Sequence, residues 1–322
     1  MRAICISTFG GPEVLLEADI PRPNPGSEEL LVEVAAAGLN RADVLQRRGQ
    51  YPPPPGVRED VPGLEFAGTV REMGSAVKAW APGDRAMGLV SGGAYAQYVT
   101  VHATHAVPIP AAWSFAEAAA VPEAFLTAHD ALSQAQMEQG DAVLIHAVGS
   151  SVGTAALQIA RAGGGTVAGT SRTADKLAKA KDLGLDHPLL VEGEFLPPVA
   201  FQDWADVVCD LVGGSYFAGT IAATAPKGRI VVVGLTAGRT AALDLGHLLR
   251  KRLMVIGTAM RSRSCEEKAA VVRSFREVVL PMFDHGDARP VLDRTFPMTA
   301  ASEAHWYLET NQNFGSVVLL WS

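Results

Sequence analysis

Between residues 142 and 260 the chain alternates short, uninterrupted apolar runs with helical segments, and no other feature limits the fold as strongly. The runs are "AVLIHA" (142–147), "TVAGT" (166–170), "ADVVCDLV" (205–212), "RIVVVGL" (229–235) and "LMVIGTAM" (253–260). None alternates regularly between polar and apolar residues, so none leaves a face for water. Such strands belong to a parallel sheet covered by helices on both sides, and helices are predicted at about 152–163 and 173–183.

Residues 1 to about 118 read differently. "ELLVEVAAAGLN", "FAGTVREMG" and "AYAQYVTVHA" are short and strand-like, separated by turn signals such as "NPGS", "YPPPPG" and "APGD". This predicts a β-rich domain, with one helix over 40–49. "SFAEAAAVPEAFLTAHDAL" (114–132) reads as a helix, with Ser114 and Glu117 spaced as a capping box. A further helix is predicted at about 265–284, and "GSVVLLW" as a closing strand. A chain of 322 residues is long enough for two buried cores. The net charge of −7 argues against nucleic acid or an anionic membrane as partner. Cys5, Cys209 and Cys265 form no recognisable cluster and read as small buried hydrophobes of a reducing compartment. The start "MRAICISTFGG" lacks a signal-peptide core, and residues 142–160 are too polar to span a bilayer. A soluble, cytoplasmic protein with no membrane partner is expected.

The first apolar run opens into "HAVGSSVGTAALQ", a strand, a tight turn and a helix. Ala147, Ser150 and Gly153 stand at i, i+3 and i+6, a small-residue variant of a glycine turn. Backbone N–H groups of Ser151, Val152 and Gly153 would face an anion at the positive end of the helix dipole. A plain strand-turn-helix fits the same letters. The next strand ends in Thr170, Ser171 and Arg172, with Lys176 beyond, where an NAD site would place a carboxylate. A hydroxyl, a guanidinium and an ammonium suit a 2′-phosphate, so NADPH is favoured over NADH. The competing reading makes Arg172 and Lys176 a solvated helix start.

With these motifs, "FGGPEVL", "GLNRADVLQRRGQYPPPPG", "PGLEFAG", "AAAVPEAFLTA", "VCDLVGGSYF" and "PVLDRTFPMTAASEAHWYLETNQNFGSVVL", the chain resembles the zinc-independent quinone oxidoreductases of the medium-chain dehydrogenase/reductase superfamily. The likeness is to the zeta-crystallin-like and p53-inducible quinone oxidoreductase branch. It implies an α/β fold in which a Rossmann doubly wound parallel sheet is inserted in a β-rich GroES-like domain. The expected boundaries are 1–118 for the first part of the substrate domain, 119–262 for the NADP-binding domain and 263–322 for the completing segment. The resemblance also implies that cofactor and substrate meet in an interdomain cleft. Zinc enzymes of the superfamily carry Cys and His where this chain has Asn40 and Leu64, and the four-cysteine lobe is absent, so no zinc is expected.

The family match places Tyr51 and Asn40 at the nicotinamide and substrate as the catalytic pair, orienting the carboxamide and a quinone oxygen. Tyr51 packing on the proline run and Asn40 as a helix N-cap are the structural alternatives. Thr127, Gly234, Leu235, Met260, Arg261, Phe314 and Gly315 match family positions around the cofactor. Two positions depart from the pattern. Ser316 replaces a frequent Lys, and "HPLLVEGEF" lacks the tyrosine that relatives place near the adenosine phosphate. His129 and His146 read as satisfied core groups, while His102, His105, His247 and His305 show no partner pattern. The expected function is NADPH-dependent reduction of a small-molecule quinone by a homodimer or homotetramer, paired through the edge runs "IVVVGL" or "LMVIGTAM". The alternatives are an NADPH-dependent reductase of activated C=C bonds (enone or enoyl) and an NADPH-binding protein with little turnover.

Overall fold

The computed structural model describes residues 1–321. The chain runs through strands β1 (Arg2–Ile6), β2 (Leu15–Asp19) and β3 (Glu29–Leu39), helix α1 (Arg41–Arg47), and strands β4 (Glu65–Met73), β5 (Arg85–Leu89), β6 (Tyr98–His102) and β7 (Ala106–Pro108). Helices α2 (Phe115–Ala119) and α3 (Pro122–Gln134) lead into β8 (Ala142–Ile145), α4 (Ser151–Ala162), β9 (Thr166–Ser171), α5 (Ala174–Lys181) and β10 (His187–Leu190). Then follow β11 (Ala205–Asp210), α6 (Phe217–Ala223), β12 (Thr224–Val232), α7 (Leu245–Lys251) and β13 (Met254–Gly257). The chain closes with α8 (Cys265–Val278), α9 (Leu280–His285), β14 (Leu292–Pro297), α10 (Ala301–Glu309) and β15 (Ser316–Leu320).

The chain divides into two compact units. One comprises Met1–Leu126, Met260–Val278 and the segment from Pro290 to the C-terminus; the other comprises Thr127–Ala259 and Val279–Arg289. Residue 322, the end of the completing segment, lies outside the described residues. Residues 279–289 group with the parallel-sheet unit because Gln158 in α4 holds the backbone of Arg289, donating to its carbonyl (3.2 Å) and accepting its N–H (2.9 Å).

The β-rich unit is organised by β3, eleven residues long, which pairs antiparallel with β4, β6 and β15. The last strand therefore completes a sheet begun near the N-terminus, with Val317 opposite Leu39 and Leu320 opposite Ala36. Its core gathers Leu30, Val32, Val34, Phe66, Val70, Tyr95 and Val317. Arg47 is fully buried here, yet every direction of its fork is met. It donates to Gly10 O (3.1 Å), to His305 Nδ1 (3.2 Å) and to both oxygens of Glu309 (3.0 and 2.9 Å). His305, which showed no partner pattern in the sequence, is thus a structural relay. With Nδ1 accepting, its Nε2–H faces the Tyr95 hydroxyl at 3.2 Å.

In the other unit all six strands are parallel, in the order β10-β9-β8-β11-β12-β13. Counted from β8, this is 3-2-1-4-5-6, the doubly wound dinucleotide-binding order, with its switch point between β8 and β11. The sequence rhythm predicted this sheet but not β10. That strand carries Pro188 and is tolerated because it sits at the sheet edge. Two expected helices are broken by proline. The 114–132 segment ends α2 at Ala119 and restarts at Pro122, and the 265–284 segment stops at Val278 before Pro281. In each case proline lacks the N–H an uninterrupted helix requires. The capping box at Ser114 and Glu117 forms as expected. Among the described residues no helix is long and apolar enough to cross a membrane.

The turn after β8 is tied down from three sides. Ala147 N–H donates to Thr170 Oγ1 (3.2 Å), Ser150 Oγ donates to Ala147 O (2.8 Å), and Gly153 N–H donates to Ser150 Oγ (3.1 Å). Ala147 adopts φ +49°, a left-handed conformation that costs an L-residue about 1–2 kcal/mol. Replacing it with glycine relieves this strain but frees the unfolded chain by about 0.4–1 kcal/mol. Ala147→Gly is therefore expected to stabilise the protein by about 0.5–1 kcal/mol in urea melts; a loss of stability would show that the methyl group packs productively.

Candidate active site

The C-terminal edge of the parallel sheet gathers one set of the predicted residues. Ser150 caps α4, so the amides of Ser151, Val152 and Gly153 open the helix. Gly153 is required by packing, since a Cβ there would overlap Ala147 O and meet Val148 Cα at 2.8 Å. Ser171 ends β9 and its Oγ accepts from Thr173 N–H (3.2 Å), which shapes the start of α5. Arg172 is exposed, and its charge reaches Tyr216, opposing the burial that raises the Tyr216 pKa. A tyrosine thus lies beside Arg172, although it comes from the 214–216 turn and not from "HPLLVEGEF". Lys176 lies in the first turn of α5.

Gly234 and Leu235 follow β12 at the same edge, where Gly234 N–H donates to Asp210 O (3.1 Å) and a side chain on Gly234 would strike Leu211. Two buried polar atoms of this unit have no hydrogen-bond partner among the described residues: Thr127 Oγ1 and Asp210 Oδ2. Burying a hydroxyl or carboxylate oxygen unpaired costs about 1–3 kcal/mol, which an ordered water or a bound group would offset. His146 is satisfied as expected, between Thr170 (3.1 Å) and Thr220 (2.9 Å), and burial lowers its pKa to about 4. It stays neutral and holds the turn.

The β-rich unit gathers Asn40, Tyr51, Met260 and Arg261 around three acids, of which Asp43 and Glu65 are buried and Glu123 is half-buried. Asn40 stands at the N-cap of α1; its N–H donates to Asp43 Oδ2 (2.8 Å) and its Nδ2 donates to Glu65 Oε1 (2.7 Å). The other Glu65 oxygen accepts Glu123 N–H (2.7 Å), at the first turn of α3. Asp43 Oδ1 accepts Gly63 N–H (2.9 Å). Arg261 stacks over the Tyr51 ring (4.9 Å to the centroid) and donates to Tyr51 O (2.8 Å), Ser91 O (2.8 Å) and Gln46 Oε1 (2.6 Å). Its guanidinium is committed to this loop framework and fixes Tyr51. Lys268 Nζ donates to Ser91 Oγ (2.9 Å) and Arg261 O (3.0 Å). Glu123, Met260, Arg261 and Lys268 line a cavity of about 10 Å³, room for one water. Phe314 and Gly315 form the turn into β15, where Phe314 N–H donates to Asp293 Oδ1 (3.1 Å) and Gly315 takes φ +85°.

Burial dominates the electrostatics. It pushes Glu65 up to about 8, Glu123 up to about 7 and Asp43 up to about 6, with Arg261 opposing the rise at Glu123 and Asp43. Burial and the nearby Glu123 raise the Tyr51 hydroxyl as well. Near neutral pH Glu65 therefore stays mostly protonated, Glu123 is shared between its two forms, Asp43 is mostly ionised, and the Tyr51 phenol keeps its proton. Sequence reasoning missed Glu123 and Asp43. Their signal was an acid inside otherwise apolar text, as in "AAAVPEAFLTA". Asn40, Leu64 and Glu65 present an amide, an alkyl chain and a carboxylate already bonded to protein N–H groups, a set that does not fit zinc.

Residues 26–111 match the alcohol dehydrogenase GroES-like domain and residues 151–275 the zinc-binding dehydrogenase domain. The chain belongs to the medium-chain dehydrogenase/reductase superfamily. Within it the chain is quinone-oxidoreductase-like: it is 30% identical to the quinone oxidoreductase of Lama guanicoe over 99% of this chain and 97% of that protein. Among solved structures, an NAD-dependent alcohol dehydrogenase superposes with TM-score 0.85 at 34% identity, covering 99% of each chain. A mycobacterial protein complexed with NADPH gives 0.87 at 28%, over 99% of this chain and 100% of that one. CurK enoyl reductase gives 0.86 at 26%, over 100% and 99%. The oxidoreductase class, the GroES-like and Rossmann architecture and nicotinamide-cofactor binding follow.

The folded-state pKa of each acid in this site lies above its unfolded value, so the folded protein holds extra protons between about 4.5 and 8 and loses stability as pH rises through that window. Glu123→Gln removes one such group. Its Tm relative to wild type is expected to rise from pH 4.5 to about 7 and then level off; an offset independent of pH would show that Glu123 is not raised.

Proposed function

We propose that this chain is an NADPH-dependent, zinc-independent quinone oxidoreductase. The observation that carries the proposal is the proton-donating cluster of Tyr51, Glu123 and Glu65 beside Asn40, where zinc enzymes of the superfamily hold their metal. A quinone is already electrophilic, so its reduction requires a hydride and a proton at oxygen. NADPH, when bound, supplies the hydride from its nicotinamide C4. The amides of Ser151 and Val152, the small residues Ala147 and Ser150, and Gly234 and Leu235 would hold its pyrophosphate and neighbouring groups, with Gly153, its N–H given to Ser150 Oγ, keeping the helix close to the strand. Ser171, Arg172 and Lys176 would take the 2′-phosphate, and Thr127 would use its partnerless hydroxyl on the cofactor. Met260, Phe314 and Gly315 would line the nicotinamide end.

Tyr51 donates its hydroxyl hydrogen bond to the acceptor oxygen, and Asn40 orients the reacting groups. Glu123, raised to about 7 and near enough for its charge to act on the Tyr51 hydroxyl, would replenish the proton. Arg261 positions Tyr51 through its stacked guanidinium. Glu123 also favours a second reading. A neutral carboxyl can deliver a proton to carbon, as reduction of an enone or enoyl C=C bond requires. The proposed setting is the cytoplasm, as a homodimer.

Oxidation of NADPH by 1,2-naphthoquinone or 9,10-phenanthrenequinone, with enones inert, is the expected result. Turnover of enones alone would establish the second reading, and tight NADPH binding without turnover would mark a binding protein. Tyr51→Phe is expected to lower kcat/KM for the quinone about 100-fold, and an unchanged value removes the hydroxyl role. Arg172→Ala is expected to cost about tenfold in NADPH affinity while leaving NADH unaffected; equal affinities that ignore the substitution would refute the cofactor preference.

The homodimer rests on β13, an edge of the parallel sheet where Met254 and Val255 are exposed, as are Leu245 and Leu249 of α7. The run "IVVVGL", expected as the other candidate edge, lies in β12 inside the sheet, between β11 and β13. Val255→Lys is expected to give monomers by light scattering; a monomeric wild type would dispose of the dimer.

A further inference from the structure

Away from these residues, the β-rich unit draws together three metal-ligating side chains that the sequence keeps 160 positions apart. His102 closes β6, His105 ends the single turn that follows, and Cys265 is the first residue of α8. One ligand atom from each lies within 4.8 Å of the other two. The thiol was expected to be buried like Cys209, but it is exposed. Its Sγ stands 3.5 Å from His105 Nε2, and the two imidazole rings are 5.2 Å apart. Glu28 reaches the same place, with Oε2 3.9 Å from His102 Nε2 on a side chain free to swing in solvent. Glu28, His102 and Thr104 also line a surface groove of about 710 Å³, which gives an ion access.

We propose that His102, His105 and Cys265 form a zinc site, with Glu28 or water as the fourth ligand. Two imidazoles and a thiolate are the donor set Zn²⁺ prefers. A tetrahedral zinc with bonds of about 2.3 Å to sulfur and about 2.0–2.1 Å to nitrogen puts those two ligands about 3.5 Å apart, the spacing already present between Cys265 and His105. His102 Nδ1 accepts the Thr104 backbone N–H (3.3 Å) and lies 2.7 Å from Thr104 Oγ1, so in the metal-free arrangement the ring proton is on Nε2, facing Glu28. On binding that proton moves to Nδ1, where Thr104 Oγ1 accepts it as the outer partner, and Nε2 takes the metal. His105 Nε2 faces the Cys265 carbonyl at 2.9 Å in the metal-free arrangement. On binding, its proton moves to Nδ1, the thiol proton leaves to solvent, and zinc takes the vacated lone pairs. The ion clips the β6–β7 connection to the start of α8, one turn before Lys268, which secures the loop of Ser91 and Arg261. This site is separate from the position of the catalytic zinc in the superfamily and makes no demand on the reaction.

The test uses the full chain, stripped with a chelator, desalted and titrated with Co²⁺, then with Zn²⁺ against a chromophoric chelator. One Co²⁺ per chain with thiolate-to-cobalt charge-transfer absorption in the near ultraviolet, displaced by Zn²⁺, is expected. Cys265→Ser should abolish that absorption with an unchanged circular dichroism spectrum. His105→Gln should weaken zinc at least about 100-fold, beyond the roughly 10–100-fold cost of losing only an outer partner. Zinc should raise the Tm of the wild type but not of Cys265→Ser. Absence of the charge-transfer band, or a band and affinity that survive Cys265→Ser, overturns the site. Because Cys265 is exposed, its variant decides the matter even if His105→Gln fails to fold.

Discussion

The candidate site depends on one buried carboxyl group. Glu65 accepts the Asn40 side-chain amide with one oxygen and the backbone N–H of Glu123 with the other, so a single residue at the start of β4 fixes the N-terminus of α1 and the first turn of α3. Neither contact is available to a shorter or apolar side chain. Gly38, across the strand, has no room for a Cβ because the Glu65 carboxyl and Ala119 O fill that space. The same neighbours keep water away, and this makes Glu65 reluctant to ionise.

Around that group the unit gathers two further acids, Asp43 and Glu123, whose carboxyl groups are raised above their ordinary range. Asp43 bridges the backbone of Asn40 and Gly63, and behind it Tyr95, His305 and Arg47 form a hydrogen-bonded chain back into the core. The cations come from a distant part of the sequence. Arg261 and Lys268 approach the acids without closing an ion pair that would fully discharge them, and the carboxyl groups remain above their ordinary range. The parallel-sheet unit, by itself, presents a helix N-terminus reached through a turn of small residues.

Much of this was legible in the letters. Strands without a polar face require a covered parallel sheet, and the capping box at Ser114 forms as written. The glycine-poor turn keeps Gly153 where the backbone leaves no space for a side chain. Other features depended on context. Pro122 and Pro281 split helices whose periodicity looked continuous, and "HPLL" pairs as an edge strand only because β9 offers it a partner. Glu123 drew no notice in the sequence, and its raised pKa is a property of neighbours from other elements.

By itself the sequence determined a covered parallel sheet after a β-rich stretch and the residue types available for binding and proton transfer, because periodicity and turn chemistry are local. That the sheet is inserted in the β-rich unit was what the family resemblance implied. Tertiary structure alone decided which of those residues act together. Burial raises Glu65 and Glu123 above their ordinary range, Arg261 spends its guanidinium on Tyr51 and two loops, and Cys265 meets His102 and His105 across 160 residues of chain. Desolvation and proximity are set by what packs alongside a group, and sequence spacing carries no record of that.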